Sequence, residues 1–306
     1  MQGSDGLIYG TTNQGGGSDM GLIFRFSPTA LVCTTLQTFT GVSNGALPYD
    51  GLTSETVTAP SSVSIAAKVF LEGPFVSATG KMNTNLRTLG DFPLTEPFTT
   101  AGFTIVGGGG ETISASVLST TGDNAVVDWA LLELRDASNS ATIVRTKAVL
   151  LQSDGDIVNV DNSTTPTMPM APGNYFVAVR HRNHFGVMTS SAVALAVAPT
   201  SLDFTTGALA TYGTAAQKTV STYRVNWAGN TLRNNNVKYT GSSNDRDPIL
   251  VRVGSTTPNN TVAGYYAEDT NLDGTVKYTG SSNDRDPILV NVGSTTPNNI
   301  ITEQLP

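Results

Sequence analysis

The feature that most constrains this chain is a stretch of sequence that occurs twice. Residues 237–260 read VKYTGSSNDRDPILVRVGSTTPNN, and residues 276–299 repeat them thirty-nine positions later (276 against 237), with only Arg252 replaced by Asn291. A repeat of fixed period predicts one small structural unit per copy, each burying its apolar side against a neighbour. Asp-Pro followed by Ile-Leu-Val and then by glycine predicts a short capped helix in each copy.

The most specific chemical motif lies directly upstream of the second copy. Residues 269–274 read DTNLDG, in which alternate side chains carry oxygen and a glycine permits a sharp turn, as in calcium-binding loops. The twelfth position, which is acidic in an ordinary loop of this kind, is Gly280, so a later carboxylate must close the site and Asp284 is favoured. The predicted calcium ligands are Asp269, Asn271, Asp273, the main-chain carbonyl of Thr275, and Asp284. The alternative is an Asn- and Asp-rich turn without a metal.

The first copy lacks this motif. The positions equivalent to Asp269, Asn271, Asp273 and Gly274 hold Asn230, Leu232, Asn234 and Asn235. Neutral amides compensate the desolvation of a divalent ion poorly. We therefore predict little or no calcium binding in this copy. In both copies the Asp-Pro pair, Asp247-Pro248 and Asp286-Pro287, is expected to cap the helix.

Composition favours an extracellular all-β protein. Charged residues make up only 13% of the 306-residue chain and aromatic residues 7%, with 31 glycines. A net charge of −7 disfavours nucleic acid, which is bound by clustered Lys and Arg. The single cysteine, Cys33, excludes an intramolecular disulfide, and its apolar surroundings predict a buried thiol, with intermolecular pairing as the alternative. No apolar run approaches the roughly 20 residues of a membrane span, and the first residues lack the pattern of a signal peptide.

Three regions follow from these patterns: a Gly-rich β segment over 1–53, a β-sandwich over 54–200, and the repeat region over 201–306. In the middle region apolar residues alternate along short runs, which predicts strands with one buried face. The predicted strands lie within 63–71, 103–106, 114–118, 126–135, 143–151, 175–179 and 191–198. Their number and spacing are typical of an immunoglobulin-like or jelly-roll sandwich.

The N-terminal segment, with GLIYGTTNQGGGSDMGLIFRFSPT, resembles one unit of the Gly-rich tandem repeats of bacterial secreted proteins, which are expected to build propeller-like or stacked β structure. One such unit cannot cover its own apolar face, because at least about three repeats are normally needed for stability. Either the segment packs as a hairpin on the following region, or one of its strands completes a sheet in another copy of the chain.

Phrases over residues 65–306, including AKVFLEGPF, VVDWALLELRD and VAVRHRNHFGVMT, resemble a module near the C-termini of Bacteroidota secreted or surface proteins often labelled hemagglutinin-related. In that module a sandwich is followed by WAGN, by dockerin-like NDRD repeats and by EQLP, all of which occur here in the same order. The resemblance implies a secreted or surface-attached, non-catalytic module.

Candidate catalytic residues are few. His181 and His184 are the only histidines, and the arginines beside them would repel a metal cation, so structural roles are favoured over metal or acid–base chemistry. Asp154, Asp156 and Asp161 could serve a glycosidase or bind calcium, but a β-turn on Asp-Gly is the ordinary explanation. No nucleophile–base pair or phosphate loop is present. We therefore expect no enzymatic activity.

Three functional hypotheses remain open, each placing the protein outside the cell or on a bacterial surface. The first is a self-assembling structural subunit stabilised by calcium, joined by β-strand addition and end-to-end contacts into a filament or surface layer. The second is an adhesin that binds a glycan or another cell-surface partner. The third is an accessory tail of a larger secreted enzyme, with the dockerin-like pair as its attachment device.

Overall fold

The computed structural model describes residues 1–3, 5–41, 43–52 and 61–306. The chain forms two compact units, Met1–Ala59 and Pro60–Pro306. The predicted boundary at 53/54 lies outside the described residues, and the predicted boundary at 200/201 lies within strand β14 of the second unit.

Short strands dominate both units. Those of the first unit are β1 (Ile8–Thr12), β2 (Leu22–Ser27) and β3 (Val32–Thr38). Those of the second are β4 (Val63–Lys68), β5 (Phe75–Val76), β6 (Lys81–Met82), β7 (Val126–Asp136), β8 (Ile143–Gln152), β9 (Ile157–Val158), β10 (Thr167–Met168), β11 (Gly173–Arg180), β12 (Val187–Met188), β13 (Val193–Leu195), β14 (Pro199–Asp203), β15 (Gln217–Val220), β16 (Tyr223–Asn226), β17 (Asn236–Lys238), β18 (Thr261–Ala263), β19 (Thr275–Lys277) and β20 (Ile300–Thr302). The α-helices are α1 (Arg246–Arg252) and α2 (Arg285–Val292), and the 3₁₀ helices are Leu86–Thr88, Ala115–Ser119 and Gly122–Asn124.

The first unit is built on one antiparallel sheet in the order β1-β2-β3. Gly10 lies opposite Phe24, where a Cβ atom would come within 2.5 Å of the phenylalanine ring, so this position needs glycine. Among the described residues of this unit only Gly21 is buried. The prediction of a buried Cys33 thiol is wrong: Cys33 lies on β3, a strand at the edge of the sheet, and is exposed.

Two larger sheets organise the second unit. One has six strands, in the order β12-β11-β7-β8-β9 with β13 also paired to β11, and the other has the order β10-β4-β14. Side chains of β4, β7, β8 and β11 contribute to a single hydrophobic core that includes Ile65, Trp129, Leu150 and Val177. The chain is therefore mainly β with several sheets, as the sequence predicts.

The predicted strands of this unit have mixed outcomes. The predicted strands over 126–135 and 143–151 are confirmed as β7 and β8. β7 is buried over almost its whole length because both of its faces are covered. The predicted strand over 114–118 is instead a 3₁₀ helix, in which the Ser114 hydroxyl accepts a hydrogen bond from the N–H of Ser116. Residues 103–106, also predicted as a strand, lie outside any strand of the structure.

The two repeat copies exchange strands. The first copy contributes β17, α1 and β18, and the second contributes the equivalent β19, α2 and β20. β17 pairs with β20 and β18 pairs with β19, so each copy completes a two-stranded sheet of the other. Both helices share one small core with Val237, Ile249, Val276 and Ile288, to which Phe185 also belongs. The predicted tandem pair of short helices is confirmed.

Candidate functional site

The loop of residues 269–275, named here the calcium-motif loop, closes on itself through the oxygens of its motif. The Asp269 carboxylate accepts main-chain hydrogen bonds from Asp273 (3.1 Å) and Gly274 (2.8 Å). Asn271 Oδ1 accepts the N–H of Asp273 (2.8 Å), and Asp273 Oδ1 accepts the N–H of Thr275 (2.9 Å). Four of the five predicted ligand positions therefore belong to one turn.

Asp284, the fifth predicted ligand, is fully buried against this loop. Its Oδ1 accepts the N–H of Thr270 (2.7 Å) and its Oδ2 accepts the N–H of Lys277 (2.7 Å). The Thr270 hydroxyl donates to the Asp284 carbonyl (2.7 Å). The structure thus brings Asp284 to the loop, where it ties residues 270 and 277 together.

The loop places two buried carboxylates near each other. Burial raises the pKa of Asp284 to about 8, and the charge of Asp269 contributes to the same shift. Burial also raises the pKa of Asp269 to about 6, although the nearby Arg182 guanidinium opposes the shift. Neither carboxylate makes an ion pair with any residue that the structure describes. The closest approach of a cation to the motif is the Lys277 ammonium, 3.8 Å from Asp273 Oδ2.

The donor types of this loop fit calcium, because all five predicted ligands are oxygens and two are buried like charges that a divalent cation would neutralise. The aspartates do not converge on a single point, however. Across the described ranges 1–3, 5–41, 43–52 and 61–306, no three His, Cys, Asp or Glu side chains form a group that could hold a metal. Any ion here would therefore depend on Asn271 and the Thr275 carbonyl as well as on carboxylates.

The first copy keeps the same scaffold with fewer charges. Asn230 Oδ1 accepts the N–H of Asn234 (3.0 Å), which repeats the bond between Asp269 and Asp273. Asp245, the equivalent of Asp284, accepts the N–H groups of Leu232 (3.2 Å) and Lys238 (2.9 Å). Burial raises its pKa only to about 6, and the residue equivalent to its partner Asp269 is the neutral Asn230.

The helix caps differ from the prediction. Asn283 Oδ1, and not the Asp286 carboxylate, accepts a main-chain N–H at the start of α2, that of Asp286 (3.1 Å). The Asn283 amide donates in turn to Asp286 Oδ2 (2.7 Å). Asn244 and Asp247 make the same pair of bonds in the first copy. The asparagine three residues before each predicted cap is therefore the capping residue, in a reciprocal arrangement like a capping box.

A buried polar network, named here the Asp128 network, joins the six-stranded sheet to the repeat pair. Asp128 on β7 bonds Arg182 Nε (2.9 Å) and His181 Nε2 (3.0 Å) through Oδ2, and the Tyr265 hydroxyl (2.6 Å) through Oδ1. Burial raises the pKa of Asp128, but the Arg182 charge and the hydrogen bond with His181 outweigh it and bring the pKa down to about 2. The carboxylate is therefore ionised and neutralises Arg182.

The residues after His181 extend this network to the calcium-motif loop. The Asn183 amide donates to the carbonyls of Asp269 (2.6 Å) and Ala267 (2.9 Å). His184 Nε2 accepts the N–H of Gly73 (3.0 Å), and a Cβ atom on Gly73 would come within 2.2 Å of the Thr270 carbonyl oxygen. Burial holds the pKa of both His181 and His184 below the usual range. The histidines thus pack at the junction between the sheet and the second copy.

Sequence reasoning singled out the histidines but missed Asp128 and Tyr265. The signal for Asp128 is an acidic residue inside the apolar run VVDWALL, where a buried charge needs a cationic partner. Nothing local to Tyr265 pairs it with Asp128, because the two are joined only by the tertiary fold. Asp154 and Asp156 lie in the turn between β8 and β9, where Lys68 makes ion pairs with both.

A cleft of about 450 Å³ opens beside the calcium-motif loop. It is lined by amides and carboxylates, with Val290 of α2 on one side: Glu72, Asn83, Asn271, Asp273, Asn283 and Asp286. Glu72 is engaged by Lys218 and by the Asn291 amide (2.6 Å). This polar cleft is the largest that we describe in the second unit.

No helix among the described residues is long and apolar enough to cross a membrane. Comparisons with protein-family models, with curated proteins and with solved structures gave no match to this chain.

Proposed function

We propose that this protein is a non-enzymatic structural subunit of an extracellular or bacterial surface assembly, in which copies join through the N-terminal sheet. In the same proposal the second unit is an immunoglobulin-like or jelly-roll sandwich carrying a dockerin-like repeat pair stabilised by calcium. The observation that carries the proposal is that the first unit has a sheet but, among its described residues, no buried hydrophobic side chain. A three-stranded sheet of this kind needs a covering layer for stability.

The edge of this sheet supports pairing with another strand. Natural edge strands are usually protected by lysine, proline or strong bulges. β3 reads VCTTLQT and carries no charge and no proline, and its pairing with β2 has one register shift, between Ile23 and Phe24. On the opposite edge, the N–H of Tyr9 donates to the Met1 carbonyl (2.8 Å), so residues 1–3 cover part of β1. β3 is therefore the edge that a second chain would extend.

The exposed side chains of the sheet suit a second copy as the partner. Ile8, Val32 and Leu36 are 39%, 54% and 46% exposed, and burying such side chains contributes roughly 25 cal/mol per Å². Arg25 is the only charged residue in the three strands, so two identical sheets would repel each other little. Association of like with like is the commonest route to protein assemblies.

The test is to place charges on this edge in the full-length protein. We expect the wild-type protein to form oligomers or filaments in sedimentation velocity and negative-stain electron microscopy, under reducing conditions. Val32→Lys combined with Leu36→Lys should give monomers. The matched control, Val197→Lys with Val251→Lys, adds the same charges at exposed valines of the second unit and should assemble normally. Wild-type monomers at all concentrations, with calcium or with chelator, would refute the proposal.

Cys33 gives a second readout of the same contact. Its exposed thiol lies on β3. In an assembled fraction, strand addition to β3 should slow alkylation of Cys33 relative to the Val32→Lys/Leu36→Lys monomer. Equal alkylation rates in both fractions would place the contact elsewhere.

A glycan-binding role is the second candidate, favoured by the 450 Å³ cleft with its amide and carboxylate groups. Such groups bind sugar hydroxyls, although no aromatic side chain is among the described residues of the cleft lining to stack on a sugar ring. A glycan array distinguishes the two: binding that Asn83→Ala abolishes while assembly persists would assign a glycan site here. The third hypothesis, an attachment tail, is less well supported because the repeat pair shares the buried Asp128 network with the sandwich.

A further inference from the structure

A separate cleft of about 210 Å³ lies between the turn at 97–101, the loop after β11 and the repeat pair. We name it the arginine cleft. Two guanidinium groups line it, together with Thr100, Ala101, Tyr265 and Ala267, and no acidic side chain is among its described lining residues. It is distinct from the calcium-motif loop and from the 450 Å³ cleft.

The first guanidinium belongs to Arg182, which is 3% exposed. Its Nε bonds Asp128 and its Nη1 donates to the Tyr266 carbonyl, but Nη2 is buried with no hydrogen-bond partner among the described residues. A buried donor without a partner costs about 1–3 kcal/mol. An oxygen acceptor that reached Nη2 would remove this cost.

The second guanidinium belongs to Arg233, which is exposed and makes no side-chain hydrogen bond or ion pair with any residue that the structure describes. Its backbone has φ +54°, a left-handed conformation that a side chain adopts with some strain. In the second copy the equivalent residue, Leu272, is buried in the main core. The first copy thus turns a cation toward a cleft at the position where the second copy inserts an apolar side chain.

The charges around the cleft set the charge of its ligand. Asp128 forms an ion pair with Arg182. The negative charge of Asp269 also lies near the Arg182 guanidinium. Arg233 has no ion-pair partner among the described residues, so it is the one guanidinium that faces the cleft without a paired carboxylate. In the adjoining cleft of about 160 Å³, Arg180 is paired with Glu303 (3.2 Å), and Glu133 lines the wall, so an anion is less favoured there.

We propose that the arginine cleft binds a carboxylate group, held by the free donors of Arg182 and by Arg233. Guanidinium donors match a planar carboxylate, and one guanidinium without an ion pair matches a monoanion better than a dianion such as phosphate. The volume corresponds to about seven water molecules, which leaves room for the group that carries the carboxylate. Glucuronate serves as the probe for a carboxylate carried on a larger group. This proposal does not depend on the proposed assembly.

The test is titration calorimetry of the full-length protein with sodium glucuronate, with glucose as the neutral counterpart. We expect millimolar binding of glucuronate that weakens with salt, and no binding of glucose. Acetate binding as tightly as glucuronate would support the carboxylate and assign no role to the sugar. Phosphate or sulfate binding more tightly than glucuronate would overturn the carboxylate assignment.

Arg233→Gln should weaken glucuronate binding at least tenfold without changing the thermal unfolding midpoint, because Arg233 is exposed. Arg224→Gln, which removes an arginine of the second unit outside the cleft, should bind like wild type. In NMR spectra glucuronate should shift the amide signals of Ala101 and Ala267 but not that of Ala210. Unchanged affinity in Arg233→Gln, or shifts confined to residues outside the cleft, would refute the site.

Discussion

The two copies of the repeat have nearly the same sequence and different surroundings. Their helices and strands are equivalent, and each copy completes a sheet of the other. Asp269 and its equivalent Asn230 are both buried, at 0% and 5% exposure, but Leu272 is 1% exposed whereas its equivalent in the first copy, Arg233, is exposed. The identical segments specify a shared scaffold. The different residue at position 272 packs the second copy against the main hydrophobic core.

The largest effect is expected from removing Asp128, whose network holds the second copy against the six-stranded sheet. Asp128→Ala leaves the buried Arg182 guanidinium and the Tyr265 hydroxyl without their common partner. Breaking a buried ion pair on one side costs about 3–5 kcal/mol. We expect the free energy of unfolding, measured with urea, to fall by this amount. Asp247→Ala, which removes an exposed carboxylate of the first copy, should cost far less, and equal losses would show that the network does not hold the second copy in place.

The next largest effect is expected at position 272 of the second copy, and little effect is expected at its equivalent in the first copy, position 233. Leu272→Ala removes a fully buried side chain from the main core, which typically costs about 2–5 kcal/mol. Arg233→Ala removes an exposed side chain, and its effect should stay within about 0.5 kcal/mol. Thermal and urea unfolding of both variants measure the difference. A small effect of Leu272→Ala would mean that the second loop is not packed as described.

Calcium should stabilise only the second copy. A ligand present at about 100 times its dissociation constant stabilises the folded state by about 2.7 kcal/mol. We expect a gain of this size on calcium addition to the wild-type protein, and its loss in Asp269→Asn, which gives the second copy the residue of the first. Asp273→Ala should have the same effect. If either variant keeps the full calcium response, the ligand assignment is wrong.

Without calcium, the two copies should differ in their dependence on pH. The pKa of Asp284 is raised, so the folded protein holds a proton that the unfolded chain has already released above about pH 4. Its contribution to stability is therefore lost as pH rises toward 8, by roughly 1.4 kcal/mol per pH unit and about 2.7 kcal/mol between pH 5 and pH 7.

Asp284→Asn should remove this slope, measured as the difference between the unfolding free energies of wild type and variant in chelator. Subtraction is needed because the buried His181 and His184, with lowered pKa values, change stability in the opposite direction near pH 6. Asp245→Asn should change the slope only below about pH 6. Identical slopes in wild type and Asp284→Asn would contradict the predicted protonation.

The smallest effect concerns the one position that differs within the repeat. The Asn291 amide donates to Glu72 (2.6 Å) and to the Ala228 carbonyl (3.1 Å), and Lys218 donates to its oxygen (2.7 Å). Asn291→Ala should cost about 1–2 kcal/mol because it leaves buried groups unpaired. Arg252→Ala removes an exposed pair with Glu268 and should cost less than about 0.5 kcal/mol. If Asn291→Ala and Arg252→Ala lower the free energy of unfolding equally, the difference between Arg252 and Asn291 does not reflect the different surroundings of the two copies.

The sequence was sufficient to predict the repeat pair, its helices and the turn of the calcium-motif loop, because period, caps and glycines act over a few residues. It was also sufficient for β7 and β8, whose apolar runs are long. It could not predict that Asp128, Arg182 and Tyr265 meet, since only the tertiary fold brings positions 128 and 265 together. The exposed Cys33 was predicted incorrectly because apolar neighbours in the sequence do not show whether a sheet has a covering layer.

The reciprocal strand pairing also has a kinetic consequence. β17 begins at Asn236 but pairs with β20 at residues 300–302, so the first sheet of the repeat pair cannot form until the chain beyond the second helix is present. Pairings between residues so distant in sequence fold more slowly than local ones. During synthesis β17 therefore stays unpaired until residues 300–302 have left the ribosome.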